Sequence, residues 1–372
     1  MRYTDNGAED IKIAYIGGGS RGWAWGLMSD LAAAQDMSGS VFLYDIDREA
    51  AARNECIGNK MKDLKECRSA WNYKAVETMK EALTGADFVV ISIMPGTFDE
   101  MESDVHAPEK FGIYQSVGDT TGPGGLMRAL RTIPMFEEFA AAIRKYCPQA
   151  WVINYTNPMT VCVKTLYRVF PKIKAFGCCH EVFGTQKLLG LALEDIKGIQ
   201  GAQREDIRVN VVGINHFTWL TAAQYKNMDL FPIYREFALK YRDEGFGEKA
   251  DENWLNRFFD SREQVKLDLF LKYGAIAAAG DRHLAEFCPG SWYLKDEETA
   301  HSWGFKLTPV SWRKEDLKNR LARSERLYKG EGEMTINQTG EEGVQQMRSL
   351  LALRDLVTNV NIPNCGQIPN LP

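Results

Sequence analysis

The stretch IKIAYIGGGSRG at residues 11–22 constrains the fold more than any other. Its alternating apolar residues predict a strand. Gly17, Gly19 and Gly22, with Ser20 and Arg21 before the last, give G-x-G-x-x-G. Glycines at those places permit a tight turn, backbone approach to a pyrophosphate and close helix–strand packing. Residues 22–34 predict the helix that would receive the pyrophosphate on its unpaired N–H groups. A second strand, 40–47, ends in acids. Asp45 lies 28 residues after Gly17, where a carboxylate can accept from both adenosine ribose hydroxyls. That favours NAD over a 2′-phosphorylated cofactor, although Arg48 pulls weakly the other way. The bare motif also occurs as a glycine turn without a ligand. The ordered set of strand, glycines, helix, strand and Asp points to nucleotide binding.

The alternation continues. A long polar-faced helix is expected over 48–68, a strand over 86–93, a helix over 126–146, a strand over 151–157 stopped by Pro158, a helix to Val169, and a short strand over 174–180. Strands alternating with helices imply a parallel, doubly wound Rossmann-type sheet. Beyond about residue 180 the pattern changes. Alternation over 207–213 and 217–225 predicts antiparallel strands, 230–275 reads as helical, and the ending NIPNCGQIPNLP reads as a loop. The fold class is therefore α/β: a nucleotide domain over 1–175, then a mixed α+β substrate domain over 176–372, in a lactate/malate dehydrogenase-like architecture.

The formal charge is −5 with scattered basic residues, which argues against a nucleic-acid or anionic-membrane surface. No stretch reaches the roughly 18 apolar residues of a membrane span, and no signal peptide is expected at the N-terminus. Eight cysteines without framework spacing fit a reducing cytoplasm with mostly free thiols.

Two further stretches carry chemistry. GCCHEVFG (177–184) sets two cysteines beside a histidine and a glutamate, and GINHFTWL (213–220) supplies another histidine. Cysteine is among the most buried residue types, and either stretch alone reads as core. A metal site requires that they meet.

Together these segments resemble glycoside hydrolase family 4, the NAD- and divalent-metal-dependent glycosidases, and within it the α-galacturonidase branch. The likeness rests on IGGGSRGW (16–23), residues 96–134 including VGDTTGPGG, NYTNPM (154–159), GCCHEVFG, GINHFTW and GDRHLAEF (280–287), in family order. The resemblance implies oxidation of sugar C3 by NAD, loss of the C2 proton, elimination of the leaving group, addition of water and return of the hydride, an exception to the two-carboxylate scheme. It implies Cys179 and His216 as ligands of Mn²⁺, with Fe²⁺, Co²⁺ or Ni²⁺ tolerated by a thiolate, and sugar oxygens in the open positions.

By the same resemblance His180, where other branches carry aspartate, is the acid for the leaving group. A free imidazole titrates near 6.5 and suits that task. The C2 base is Asp281, with Tyr273 as runner-up, and His283 orients one of them or approaches the metal. Asp119 and Asn157 fall at sugar-binding positions and Asn154 near NAD, though capping is the alternative use of such residues. The loop PGTFDEMES (95–103) has no Arg or Lys for a 6-phosphate, which favours a uronate or neutral sugar. Arg128, Arg131 and Arg282 are candidates to meet a uronate carboxylate. Relatives continue beyond residue 372, and a homodimer or tetramer acting on a small glycoside is expected. An α-glucosidase or α-galactosidase of the same family, a 2-hydroxy acid dehydrogenase and a catalytically silent NAD-sensing module are the alternatives.

Overall fold

The computed structural model describes residues 1–247, 261–308, 310–332 and 334–366. The chain forms two compact units interleaved in sequence. One is built from Met1–Thr97, Leu130–Cys178 and Ser311–Pro372, the other from Phe98–Ala129 and Cys179–Val310.

The first unit holds a seven-stranded sheet. Its path runs Trp71–Val76, Met37–Tyr44, Gly7–Ile16, Phe88–Ile91, Trp151–Asn154, Lys174–Gly177, with Arg2–Thr4 antiparallel beside Gly7–Ile16. Every neighbouring pair along that path is parallel. Alternation along the central strand divides its side chains between two cores. Ile11, Ile13 and Tyr15 pack on one face with Trp25, Leu31 and Ile57. Ala14 and Ile16 pack on the other with Phe136, Ile143 and Leu166. This is the doubly wound arrangement expected from the alternating strands and helices. The helix Trp23–Ala33 follows the glycine loop, and Arg48–Lys60 begins at Asp47, whose side chain accepts the Ala50 N–H.

Leu327, Val344 and Met347 complete the first face. They come from the helices Val310–Lys329 and Gly343–Leu350, which sequence periodicity did not single out. Asn361, within the expected C-terminal loop, exchanges both backbone hydrogen bonds with Gly177; residues 367–372 of that loop lie outside the described residues.

The second unit contains a four-stranded sheet. Ile207–Ile214 and Met228–Asp229 pair with Phe217–Tyr225, as does Ile276–Ala277, all antiparallel. Leu220, Ala223, Phe237 and Phe270 fill one of its cores. The helical stretch expected over 230–275 includes Phe231–Tyr241 and Gln264–Tyr273, while residues 248–260 of it lie outside the described residues. Among the described residues, no helix is long and apolar enough to cross a membrane.

Candidate active site

In the first unit the glycine loop is held from beneath. Gly17 has φ +96°, a left-handed backbone, and a Cβ there would overlap the Ser92 carbonyl oxygen. A Cβ on Gly19 would crowd Ala50 and the Asp45 carboxylate. Asp45 Oδ2 accepts the Gly19 N–H at 2.8 Å and Oδ1 accepts the Asp47 N–H at 2.9 Å. Each oxygen retains a second lone pair for a ribose hydroxyl. Burial raises the Asp45 carboxyl above the ordinary carboxylate value, against those hydrogen bonds and Arg21. Arg21 pairs with Asp47 at 3.0 Å. Asn54 ties the loop down by donating to the Gly18 and Ser20 carbonyls. Gly22 ends the loop, where a Cβ would meet the Arg320 guanidinium. The cradle that a Cβ would fill, followed by a helix N-terminus, fits a dinucleotide.

Asn154 corrects the sequence expectation. It is 0% exposed, and its amide is spent on the backbone of Thr156, donating to the carbonyl and accepting the N–H at 3.0 Å each. It shapes the strand end and has no surface to offer NAD. Asn157 follows on the same segment, joined to Pro158 by a cis peptide.

In the second unit the two motif stretches meet. Cys179 Sγ stands 3.6 Å from His216 Nε2. Two ligands at the ~2.3 Å and ~2.0–2.1 Å typical of sulfur and imidazole on a borderline divalent ion, at a tetrahedral angle, stand about 3.6 Å apart. The separation therefore fits a shared cation. Ligand atoms of Asp119, His216 and His283 also lie within 4.8 Å of one another, so His216 belongs to both groupings. On its other edge, His216 Nδ1 lies 3.0 Å from the Thr120 hydroxyl, which donates to Asp119 Oδ1 at 2.7 Å. The His283 ring stacks on His216 with centroids 3.7 Å apart. Its buried Nδ1 finds no hydrogen-bond partner among the described residues. A thiol and an orphaned imidazole nitrogen, each next to the His216 ring, are donor types that suit a transition metal.

Local backbone explains how His216 reaches this place. Ile214 pairs with Phe217, so Asn215 and His216 form a two-residue hairpin turn. Such turns demand positive φ, and His216 has φ +65°. Glu181, in the first turn of the helix Glu181–Lys197, anchors that turn. Its carboxylate accepts the His216 N–H at 2.7 Å and the Asn215 side-chain amide at 3.4 Å. His180 is the exposed N-cap of the same helix.

Burial sets most of the electrostatics. It lowers His216 to about 4, against the Asp119 charge and aided by His180, so the ring is neutral near pH 7 and has a lone pair to give. Burial and the neighbouring His216 hold His283 well below its ordinary value. Burial works to raise Asp119, but Arg128, the two histidines and the Thr120 hydroxyl outweigh it and leave the carboxyl below its ordinary value. Burial raises Glu181 to about 7 despite its hydrogen bonds from the His216 N–H and the Asn215 amide.

The two base candidates differ in their surroundings. Asp281 is 0% exposed and accepts the N–H groups of Val265 and Lys266 at 3.2 and 3.0 Å. It caps the helix Gln264–Tyr273 and shows no open face to a substrate. Tyr273, at the end of that helix, is 59% exposed and packs edge-on against Trp219. Among the arginines, Arg282 is buried and committed to the Lys306 and Ser116 carbonyls and the Thr308 hydroxyl. Arg131 donates to the Pro95 carbonyl within the first unit. Arg128 is the one whose charge acts on Asp119. Sequence reasoning gave no role to Thr120, Glu181 or Arg320. The S/T position beside Asp119 and the acid opening the helix after GCCH were the available signals.

Comparison with known proteins identifies the family. A family model described as family 4 glycosyl hydrolase matches residues 12–194, and the model of that family's C-terminal domain matches 211–372. An α-galacturonidase of Thermoanaerobacterium saccharolyticum is 65% identical over 372 residues, covering 100% of this chain and 80% of the relative. An α-galacturonidase of Bacillus subtilis is 57% identical, covering 98% of this chain and 79% of the relative. The crystal structure of lplD from Bacillus subtilis superposes with a TM-score of 0.91 at 54% identity, covering 98% of this chain and 82% of that one. The chain belongs to family 4 of the glycosyl hydrolases, and it is similar over its whole length to α-galacturonidases of that family.

Proposed function

We propose that this enzyme hydrolyses α-linked galacturonides, with NAD bound at the Gly17–Gly22 loop and a divalent cation held by Cys179 and His216. The observation that carries this reading is the 3.6 Å approach of Cys179 Sγ to His216 Nε2 in a chain so similar to α-galacturonidases. When bound, NAD would supply reversible oxidation at sugar C3, and Mn²⁺ would supply an electrophile for the oxygens on C2 and C3. Cys179 and His216 leave most of the cation's positions open, as a catalytic site needs. His180, exposed at the helix N-terminus, would protonate the departing glycosidic oxygen. Asp119 keeps Oδ2 for a ring hydroxyl while Oδ1 is bonded to Thr120. Asn157 would serve as a second sugar contact. Arg128 is the arginine proposed for the uronate, because Arg282 is spent on backbone carbonyls. A planar guanidinium matches a carboxylate in two hydrogen bonds. The acids Asp99 and Glu100, in the first turn of Phe98–His106, disfavour a phosphorylated sugar in that region.

The test is turnover of 4-nitrophenyl α-galacturonide with NAD, Mn²⁺ and a thiol reductant, with and without chelator. The reading expects cleavage that needs both additions, without net NADH, and with deuterium lost from labelled C2. Steady NADH from a hydroxy acid without glycoside cleavage would replace it with a dehydrogenase. Cleavage of neutral α-glucosides or α-galactosides in preference to the uronide would retain the chemistry and overturn the substrate.

A further inference from the structure

We infer that Thr120 is a positioning residue that fixes the tautomer of His216, so that the Nε2 lone pair faces Cys179. The inference rests on the proposed cation site and concerns how the chain prepares it. Three groups stand in line: Asp119 Oδ1, the Thr120 hydroxyl 2.7 Å away, and His216 Nδ1 3.0 Å beyond. A threonine hydroxyl has one proton and can also accept. A carboxylate only accepts, so the hydroxyl proton must lie toward Asp119. The hydroxyl oxygen is then an acceptor for His216, and Nδ1 must carry the ring proton. In a neutral imidazole that leaves Nε2 as the bare nitrogen, and Nε2 is the atom 3.6 Å from the Cys179 sulfur.

The opposite tautomer is disfavoured by the same count. Its bare Nδ1 would require the Thr120 proton. Asp119 Oδ1 would then face a hydroxyl oxygen at 2.7 Å with no proton between them. Outer groups of this kind orient imidazole ligands, and their loss typically weakens metal binding about 10–100-fold. Glu181, on the His216 N–H, fixes the backbone of the turn but leaves the ring proton undecided. Thr120 supplies that second constraint.

The experiment uses the full chain, with Mn²⁺ alone as the probe. Long-range ¹H–¹⁵N correlation on metal-free protein labelled at its five histidines should show His216 as the Nδ1–H tautomer, the resonance being assigned through the loss of one signal on substitution. Thr120→Val keeps the shape and removes the hydroxyl; it should give mixed tautomers and about 10–100-fold weaker Mn²⁺ binding, read from the free-ion electron paramagnetic resonance signal. Thr120→Ser should restore both readouts. NAD affinity should be unchanged in both variants. A wild-type Nε2–H tautomer, or undiminished Mn²⁺ affinity in Thr120→Val, would overturn the inference. Absence of Mn²⁺ binding by the wild type would defeat the cation site instead, and the tautomer measurement would still decide the role of Thr120.

Discussion

Replacing Asp281 by asparagine separates a structural carboxylate from a catalytic one. The side chain is wholly buried, and it receives the Val265 and Lys266 N–H groups at the start of the helix Gln264–Tyr273. Such first-turn donors have no partner within their own helix. Asparagine offers one acceptor oxygen where aspartate offers two, so one buried N–H loses its partner. That costs about 1–3 kcal/mol. At about 2–4 °C per kcal/mol for a unit of this size, Asp281→Asn should unfold about 2–12 °C below wild type. Asp281→Ala, which removes both acceptors, should fall further. The sign of the pH dependence is also fixed. Burial, aided by the Glu263 charge and opposed by Lys266, raises Asp281 to about 7. A raised acid stabilises the fold in its protonated form, and that contribution is lost as pH rises from about 4 through 7. Asparagine cannot ionise, so the deficit of the variant should narrow between pH 5 and pH 8.

Thermal unfolding followed by circular dichroism reads the stability arm, and initial rates below the transition read the catalytic arm. A positioned general base is worth about 10²–10⁴-fold. Capping alone leaves kcat/KM within about tenfold of wild type, since the helix still forms below its unfolding temperature. A variant as stable as wild type that had lost more than about a hundredfold in rate, together with exchange at C2, would refute the argument and return Asp281 to the chemistry.

Three other outcomes follow from the geometry. Cys179→Ser should weaken Mn²⁺ binding by more than the roughly 10–100-fold of an outer partner while leaving NAD affinity unchanged, as titrations of each would show. Gly22→Ala meets only the far end of Arg320, so the fold should persist while NAD binds about tenfold more weakly, or 1.4 kcal/mol, by fluorescence titration. Burial, opposed by hydrogen bonds from Thr339, raises Asp30 to about 6, so its protonated form stabilises the fold and the contribution fades as pH rises from about 4 to 6. Denaturant unfolding of Asp30→Asn should accordingly gain on wild type across that window, by at most about 3 kcal/mol.

The nucleotide half was legible because two periodicities coincide with glycine chemistry. Ile11, Ile13 and Tyr15 alternate against Ala14 and Ile16, and Gly17 must turn where φ is positive. The edge strand Trp71–Val76 escaped notice because it follows a polar helix and only one side chain in two is buried along much of it. The return of Leu327, Val344 and Met347 to the first core has no local signature: their partners lie hundreds of positions away, and only closure of the chain unites them. The same reason hid Thr120, whereas Cys179, His216 and His283 were named through the family resemblance of the stretches that carry them.

Residue type also misled, because capping and catalysis draw on the same side chains. Asp281 and Asn154 have the chemistry of a base and a ligand contact, yet both are wholly buried against the backbone groups they bond. Asp45 accepts one backbone N–H on each oxygen as Asp281 does, but it is half-buried where Asp281 is wholly buried, so its second lone pairs can be reached. Around His216 the remainder is larger. Thr120 occupies Nδ1 and Glu181 the backbone N–H, while Nε2 faces a thiol and a buried His283 nitrogen has no partner among the described residues. Burying such groups costs free energy unless something completes them, which is the task the proposed divalent cation would perform. The distinction between a structural and a chemical carboxylate or imidazole therefore lies in the capacity that is both left after the backbone is served and still reachable, which a sequence does not display and which burial and hydrogen bonding together do.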